Sequence, residues 1–354
     1  MGKVINGIQQ IGIGVADANA VFNWYRKVMG FDILVFQDEA TASLMTRYTG
    51  DKPHDRYALL AMNIVGGGGL EIWQFKDRVP VAQKPKMLIG DLGINVMKIR
   101  SSRIDEIYKI LFNSNLRLIT QPDSADEVNN HFFFSDPWDN LIEVVEDDYC
   151  FVKNQSDSGG VVGVSIGVSD MEASIKFYKN FLGFDTIVFD KTDVFKDFKS
   201  IPGGENSFRR VLLKRSSQIG GGFSELLGPC EIELLQVLDR KPDKIYENRL
   251  WGDLGYIHIC FDIHGMDTLR EEASVLNHPF TVDSADSFDM GDAAGHFSYV
   301  EDPDGVLIEL VETHKVPIIK KLGIHIDLKK RKPTKPLPKW LVKMMRIHRI
   351  GKDI

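Results

Sequence analysis

Glutamates embedded in apolar triplets are the first residues in this chain with the means to do chemistry. Glu71 stands in Leu70-Glu71-Ile72 and has a copy, Glu233, in Ile232-Glu233-Leu234, 162 residues later. Glu143 follows Asp136-Pro137, and Glu309 follows Asp302-Pro303 in the same way, at an offset of 166. An ionised carboxylate can bind a divalent cation or accept a carbon-bound proton. A lone strand glutamate is more often solvent-facing, so the argument rests on what surrounds each one.

What surrounds them is a tandem duplication. Ile11-Gly12-Ile13-Gly14-Val15-Ala16-Asp17 recurs as Val164-Ser165-Ile166-Gly167-Val168-Ser169-Asp170. Trp24-Tyr25 with Gly30-Phe31-Asp32 recurs as Phe177-Tyr178 with Gly183-Phe184-Asp185, and Gly90-Asp91-Leu92-Gly93 as Gly252-Asp253-Leu254-Gly255. Matches in this order at nearly constant offsets define an internal repeat.

Each half repeats one grammar twice: a strand, an amphipathic helix, then three strands. Residues 6 to 15 read as a strand, and Asp17 caps a helix whose apolar positions Val21, Trp24, Tyr25 and Val28 fall at helical spacing before Gly30 ends it. Strands follow near 32 to 36, 57 to 64 and 70 to 75. Segment 94 to 100 opens the next unit, Ile104 to Phe112 is its helix, and 131 to 135 with 140 to 146 form a hairpin. The pattern predicts an α+β fold of four βαβββ units in two tandem domains. The expected division is 1–148, a linker at 149–160, 161–313 and a basic tail at 314–354.

Composition narrows the class. With 354 residues, 43% hydrophobic and 26% charged, the chain is globular and long enough for two domains. Apolar runs are strand-sized, and no signal-type core opens the chain, so a cytoplasmic protein is expected. Cys150, Cys230 and Cys260 suit neither a disulfide framework nor a CxxC metal site and read as buried reduced thiols. Residues 314–354 hold 13 Lys/Arg against 2 Asp/Glu, leaving 30 against 48 in the body. An acidic body argues against nucleic-acid binding.

The GVxDxxxxxxxY-x4-GF motif, the "IEL" strands and DPDGVLIEL resemble the vicinal oxygen chelate superfamily, which includes glyoxalases and extradiol dioxygenases; the resemblance spans residues 6 to 312. It implies glyoxalase-like domains whose curved mixed sheets surround a cavity, with metal ligands from the first and fourth strands of paired units. Carried over position by position, it gives Gln10 and Glu71 from the first unit and His258 and Glu309 from the fourth. The other pair of units retains Glu233 and Glu143, but Gly163 and Val96 stand where ligands would, so its cavity should hold no metal. Gln, Glu, His and Glu in this order resemble one branch of glyoxalase I. The resemblance implies one divalent ion (Zn, Fe, Mn, Co or Ni) and a metal-assisted proton transfer on a small carbonyl compound, with Glu309 or Glu71 as mobile base.

Hairpin register extends the site. A three-residue loop of Pro303, Asp304 and left-handed Gly305 places Asp302 opposite Val306 and Tyr299 opposite Glu309. Tyr299 and Phe297 then face the cavity, with Tyr299 a candidate proton donor. Strand alternation puts Tyr256 and Cys260 on the His258 face and Trp73 on the Glu71 face. The same register sets His131 beside Glu143. Gly14 and Phe75 stand where glyoxalase I carries an arginine and an asparagine, which argues against glutathione. Gly66 to Gly69 and Gly220 to Gly222 are expected to precede strands as bulges or hairpins, since a phosphate loop needs a following helix.

In the tail, Trp340, Leu341, Met344 and Met345 against Lys339, Lys343 and Arg346 predict a basic amphipathic helix, within a stretch 329–352 suited to a membrane surface or to self-association. The leading expectation is a glyoxalase-like lyase or isomerase. The rivals are a non-haem metal-dependent dioxygenase and a non-catalytic small-molecule binder.

Overall fold

The computed structural model describes residues 2–114, 116–123, 130–153, 156–216, 220–285, 288–290, 293–319, 324–328 and 331–351. The first unit comprises β1 (Val4–Gly14), α1 (Ala18–Val28), β2 (Ile33–Thr41), β3 (Asp55–Met62) and β4 (Gly69–Phe75). The second comprises β5 (Gly93–Ser101), α2 (Ile104–Asn113), β6 (Arg117–Leu118), β7 (His131–Ser135) and β8 (Leu141–Glu146). In the third are β9 (Val161–Gly167), α3 (Met171–Leu182), β10 (Thr186–Asp193), β11 (Phe208–Lys214), the one-turn α4 (Ser224–Leu227) and β12 (Glu231–Val237). The fourth holds β13 (Gly255–His264), α5 (Met266–Val275), β14 (Val282–Asp283), β15 (Phe288–Met290), β16 (Ala293–Glu301) and β17 (Leu307–Thr313). A hairpin of β18 (Lys315–Ile319) and β19 (Ile324–Asp327) and a short α6 (Lys339–Lys343) follow.

The units recombine across the duplication. Strand β1 pairs antiparallel with β13, so the first and fourth units share one nine-stranded sheet of order β14-β16-β17-β13-β1-β4-β3-β2, with β15 beside β16. Strands β5 and β9 likewise join the second and third units into an eight-stranded sheet, β10-β11-β12-β9-β5-β8-β7-β6. Register shifts interrupt both junctions, at Ile5/Gly7, Ile8/Gln10 and Gly12/Ile13 in the first sheet. Such bulges bend a strand and raise its twist, which curves the sheet around a concave face.

The duplicated motifs hold this arrangement together. Asp17 and Asp170 cap α1 and α3 by accepting from Ala20 N and Ala173 N, as their spacing predicts. Tyr25 donates to Asp136 at 2.8 Å, and Tyr178 to Asp302 at 3.0 Å, so each half's first helix is tied to the Asp-Pro turn of its second unit. One core cluster joins both sheets and the helices, from Ile11, Ile13 and Leu70 to Val164, Ile166 and Ile232. Side chains on one strand face serve this core, and those on the other face line the concavity.

Two sequence expectations need correcting here. Gly220 to Gly222 leads into α4 rather than a strand, and its space is taken up: a Cβ on Gly221 would lie 1.7 Å from Asn6 Oδ1. Cys150 is partly exposed, whereas Cys230 and Cys260 are buried.

Candidate metal centre

Gly12 in β1 lies opposite His258 in β13 at the centre of the nine-stranded sheet. Parallel pairing of β4 with β1 brings Glu71 beside Gly12, and pairing of β17 with β13 brings Glu309 beside Cys260. The result is convergence: His258 Nε2 lies 3.2 Å from both Glu71 Oε2 and Glu309 Oε2. Gln10 Nε2 is 3.3 Å from Glu71 and 3.4 Å from Glu309. One donor atom from each of Glu71, His258 and Glu309 falls within 4.8 Å of the others. Four side chains distant in sequence therefore meet at one point, and each comes from a first or fourth strand.

Electrostatics at that point favour a cation. Burial opposes a charge on His258, but Glu309 and Glu71 outweigh it and raise the imidazole to about 9. His258 Nδ1 and Gln10 Oε1 are buried and make no hydrogen bond among the described residues. Turning the Gln10 amide over about its last bond would aim that oxygen at the cluster.

Aromatic rings wall the cluster. The hairpin register is as the loop length predicts: Gly305 has φ 90°, Asp302 N donates to Val306 O at 3.0 Å, and Tyr299 opposes Glu309. Tyr299 meets His258 edge-on at 5.6 Å, and Phe297 packs against Tyr299 at 6.1 Å. Burial, then Glu309 and Glu71, hold the Tyr299 phenol well above its usual range, so it remains a proton donor. Trp73 is buried on the Glu71 face, 4.7 Å from Trp251. Cys260 is buried opposite Gln10, its thiol raised by burial and by Glu309 and donating to Gln9 Oε1 at 3.5 Å. Tyr256 lines a cleft beside the cluster rather than the cluster itself. The bulge between Gly12 and Ile13 breaks the alternation, so Tyr256 opposes Ile13, enters the main core and donates to Leu141 O at 2.9 Å.

Trp251, from the loop before β13, was missed by pattern reasoning. It stacks on His258 at 6.0 Å with planes 18° apart. It also lines a cleft of about 440 Å³ with Arg47, Tyr48, Tyr246, Arg249 and Leu307, and so is shared by cleft and cluster. No periodicity marks a loop residue; only its place just before Gly252-Asp253-Leu254-Gly255 offered a signal. That duplicated turn also explains Gly14, since a Cβ there would fall 2.1 Å from Asp253 O. A larger side chain has no room at that position.

The corresponding place in the other sheet is built differently. Val96 opposes Ser165, and Lys98 opposes Gly163. The Lys98 ammonium reaches Glu231 at 2.9 Å, Glu233 at 3.2 Å and Glu143 at 3.4 Å, and is fully buried. Arg210 from β11 pairs with Glu233 and with Asp197 at 2.6 Å, and His131 Nε2 lies 3.2 Å from Asp197. His131 Nδ1 lies 3.9 Å from Glu143, but the register does not place it there as expected: Phe133 opposes Glu143, and His131 opposes Val145. Burial opposes the charges on Lys98 and Arg210, but the carboxylates outweigh it and raise both. Burial alone would lift Glu233; Arg210 and Lys98 bring it well below its usual range. Two internal cations thus occupy the place that a metal ion would need.

The family model of the Glyoxalase/Bleomycin resistance protein/Dioxygenase superfamily matches residues 7–144 and 160–310. Among solved structures, the fold is similar to glyoxalase I from Zea mays, at 13% identity over 88% of this chain and 92% of that chain, with a TM-score of 0.55. It is similar also to a putative dioxygenase from Bacillus subtilis, at 14% identity over 88% and 86%, with a TM-score of 0.56. No curated protein sequence matches the chain. Neighbours this distant share a fold that hosts several chemistries. With the family model matched along both halves, the chain belongs to the Glyoxalase/Bleomycin resistance protein/Dioxygenase superfamily.

Proposed function

We propose that the chain is a divalent-metal-dependent lyase or isomerase of the glyoxalase type, acting on a small carbonyl compound. The observation that carries this reading is the convergence of Gln10, Glu71, His258 and Glu309 on one point of the concave face. The donor set fits the group. Two carboxylates balance a divalent charge, an amide oxygen and an imidazole complete a mixed shell, and a cation would meet His258 Nε2 beside both carboxylates and Gln10 Oε1, which is buried without a hydrogen bond among the described residues. Zn, Fe, Mn, Co and Ni all suit such a shell.

Bound there, a cation would polarise a substrate carbonyl and stabilise negative charge growing on its oxygen. The protein's own groups would supply the rest. Glu309, with the protonated Tyr299 phenol opposite it, is the preferred base for a carbon-bound proton, and Glu71 is its alternate. Trp73, Trp251 and Tyr299 would keep water from the reacting carbon. A facial-triad dioxygenase needs two histidines and one carboxylate, and the cluster contributes one histidine among the described residues. That supports proton transfer over oxygen chemistry.

The test is a screen of small carbonyl compounds with metal-loaded protein in an oxygen-electrode cell. Turnover without oxygen uptake, lost in Glu309→Gln while metal is retained, is expected. Oxygen uptake would transfer the assignment to the dioxygenases, and a purified protein that takes up no divalent metal would leave only a binding role.

A further inference from the structure

The C-terminal segment is a helix pinned on one side and open on the other. Leu337, Leu341 and Val342 are buried in a cluster with Ile33, Leu60, Met62, Leu226 and Leu227, and Met344 and Met345 pack against it. Beyond the helix, Arg349 pairs with Asp32 at 3.0 Å and Ile350 N donates to Asp32 O at 2.9 Å. The segment is therefore held in a fixed orientation by the body. Trp340 in α6 and Ile347 in the 3-10 helix Met344–His348 that continues it nevertheless stand 65% and 72% exposed. Lys332, Lys335, Lys339, Lys343 and Arg346 are exposed around them.

We propose that this outer face docks the protein on an anionic phospholipid surface. Charge complementarity is the reason: a patch rich in Lys and Arg stands out from an otherwise acidic chain, so an anionic surface attracts the tail and repels the rest. An indole and an isoleucine presented together need an apolar phase beneath the charged headgroups, the combination an interfacial segment uses. A nucleic acid would satisfy the lysines and could stack on Trp340, but it offers nothing to Ile347. No described helix is long and apolar enough to cross a membrane, so the contact would be peripheral.

The experiment is sedimentation of the full chain with phosphatidylglycerol vesicles and, separately, with neutral phosphatidylcholine vesicles. Partitioning onto the anionic vesicles alone, released at about 1 M salt where the Debye length falls to about 3 Å, is expected. The double variant Trp340→Glu, Ile347→Glu should weaken binding by roughly tenfold or more. Its substitutions avoid the packed side chains, and an unchanged Tm verifies the fold. A Trp340→Phe protein should lose the vesicle-induced blue shift of tryptophan fluorescence. No partitioning at low salt, equal binding to neutral vesicles, or undiminished binding by the double variant would overturn the proposal. So would a dimer that the double variant converts to monomer, which assigns the face to a second copy, or binding of an oligonucleotide that Ile347→Glu leaves unchanged.

Discussion

The imidazole of His258 lies directly over Gly12, so close that a Cβ on Gly12 would fall 2.3 Å from His258 Cε1. Glycine at this position is a packing requirement of the histidine across the strand junction, since the backbone there needs no unusual φ. Gly12→Ala should displace the ring from Glu71 and Glu309 and lower metal affinity by about 10- to 100-fold, the range for groups that orient ligands. Equilibrium dialysis measures it. Unchanged affinity would mean that His258 is not a ligand.

Direct removal gives the companion result. His258→Ala takes away the single nitrogen donor of the cluster among the described residues and should abolish stoichiometric metal, with one ion per chain expected in the parent protein. Glu309→Gln keeps an oxygen but loses basicity, so turnover should fall by about 10²-fold or more while some metal is retained. Metal analysis and kinetics on the two variants separate binding from proton transfer. Two ions per chain in the parent protein would contradict the assignment.

Metal uptake should also displace a proton. With its pKa raised to about 9, His258 is protonated at neutral pH in the metal-free protein, and only neutral imidazole can ligate. Apparent affinity should rise about tenfold per pH unit from about 7 and level off near 9. The stability sign is fixed by the same shift: the folded state holds the proton more tightly than the unfolded one. This contribution is therefore complete below about 6.5 and lost as pH climbs through about 9. Thermal melts of metal-free protein should show that decline, and metal-loaded protein should not.

Much of this was legible in the sequence because the relevant signals are local. A three-residue loop at Asp302-Pro303 sets the register that brings Tyr299 to Glu309, and the family resemblance, with ligand types lost at Gly163 and Val96, implied the first and fourth units as partners. Long-range compensation was not legible. Tyr256 reads as a neighbour of His258 by alternation, yet a bulge encoded on neither side of it sets it opposite Ile13, between the core and the adjoining cleft. In the tail, helical spacing put Trp340 with Leu341 on one apolar face, whereas the body takes only Leu341 and leaves Trp340 outside. Lys98 and Arg210 reach Glu233 from strands more than a hundred and about twenty residues away, and nothing in either local pattern marks them as buried.

Those two cations change what is expected of the second sheet. Glu233→Gln should leave metal content intact but destabilise the fold, because Arg210 and Lys98 lose a carboxylate in a fully buried setting. Lys98→Met is the sharper probe. It strands Glu143, Glu231 and Glu233 without their shared ammonium and should cost about 3–5 kcal/mol, as breaking a buried pair does. The pH dependence carries the sign. Glu143, already raised by burial, loses its largest offsetting charge when Lys98 goes and is raised further, so the variant's stability should fall more steeply than the parent's as pH rises above the unfolded value of about 4.3. In the parent protein burial already raises Glu143, with the Lys98 ammonium partly offsetting it, so the same loss is present there but smaller. Denaturant titrations at about pH 5 and about pH 8 make the comparison. A Lys98→Met protein as stable as its parent at pH 8 would show that the ammonium does not stand in for a metal ion.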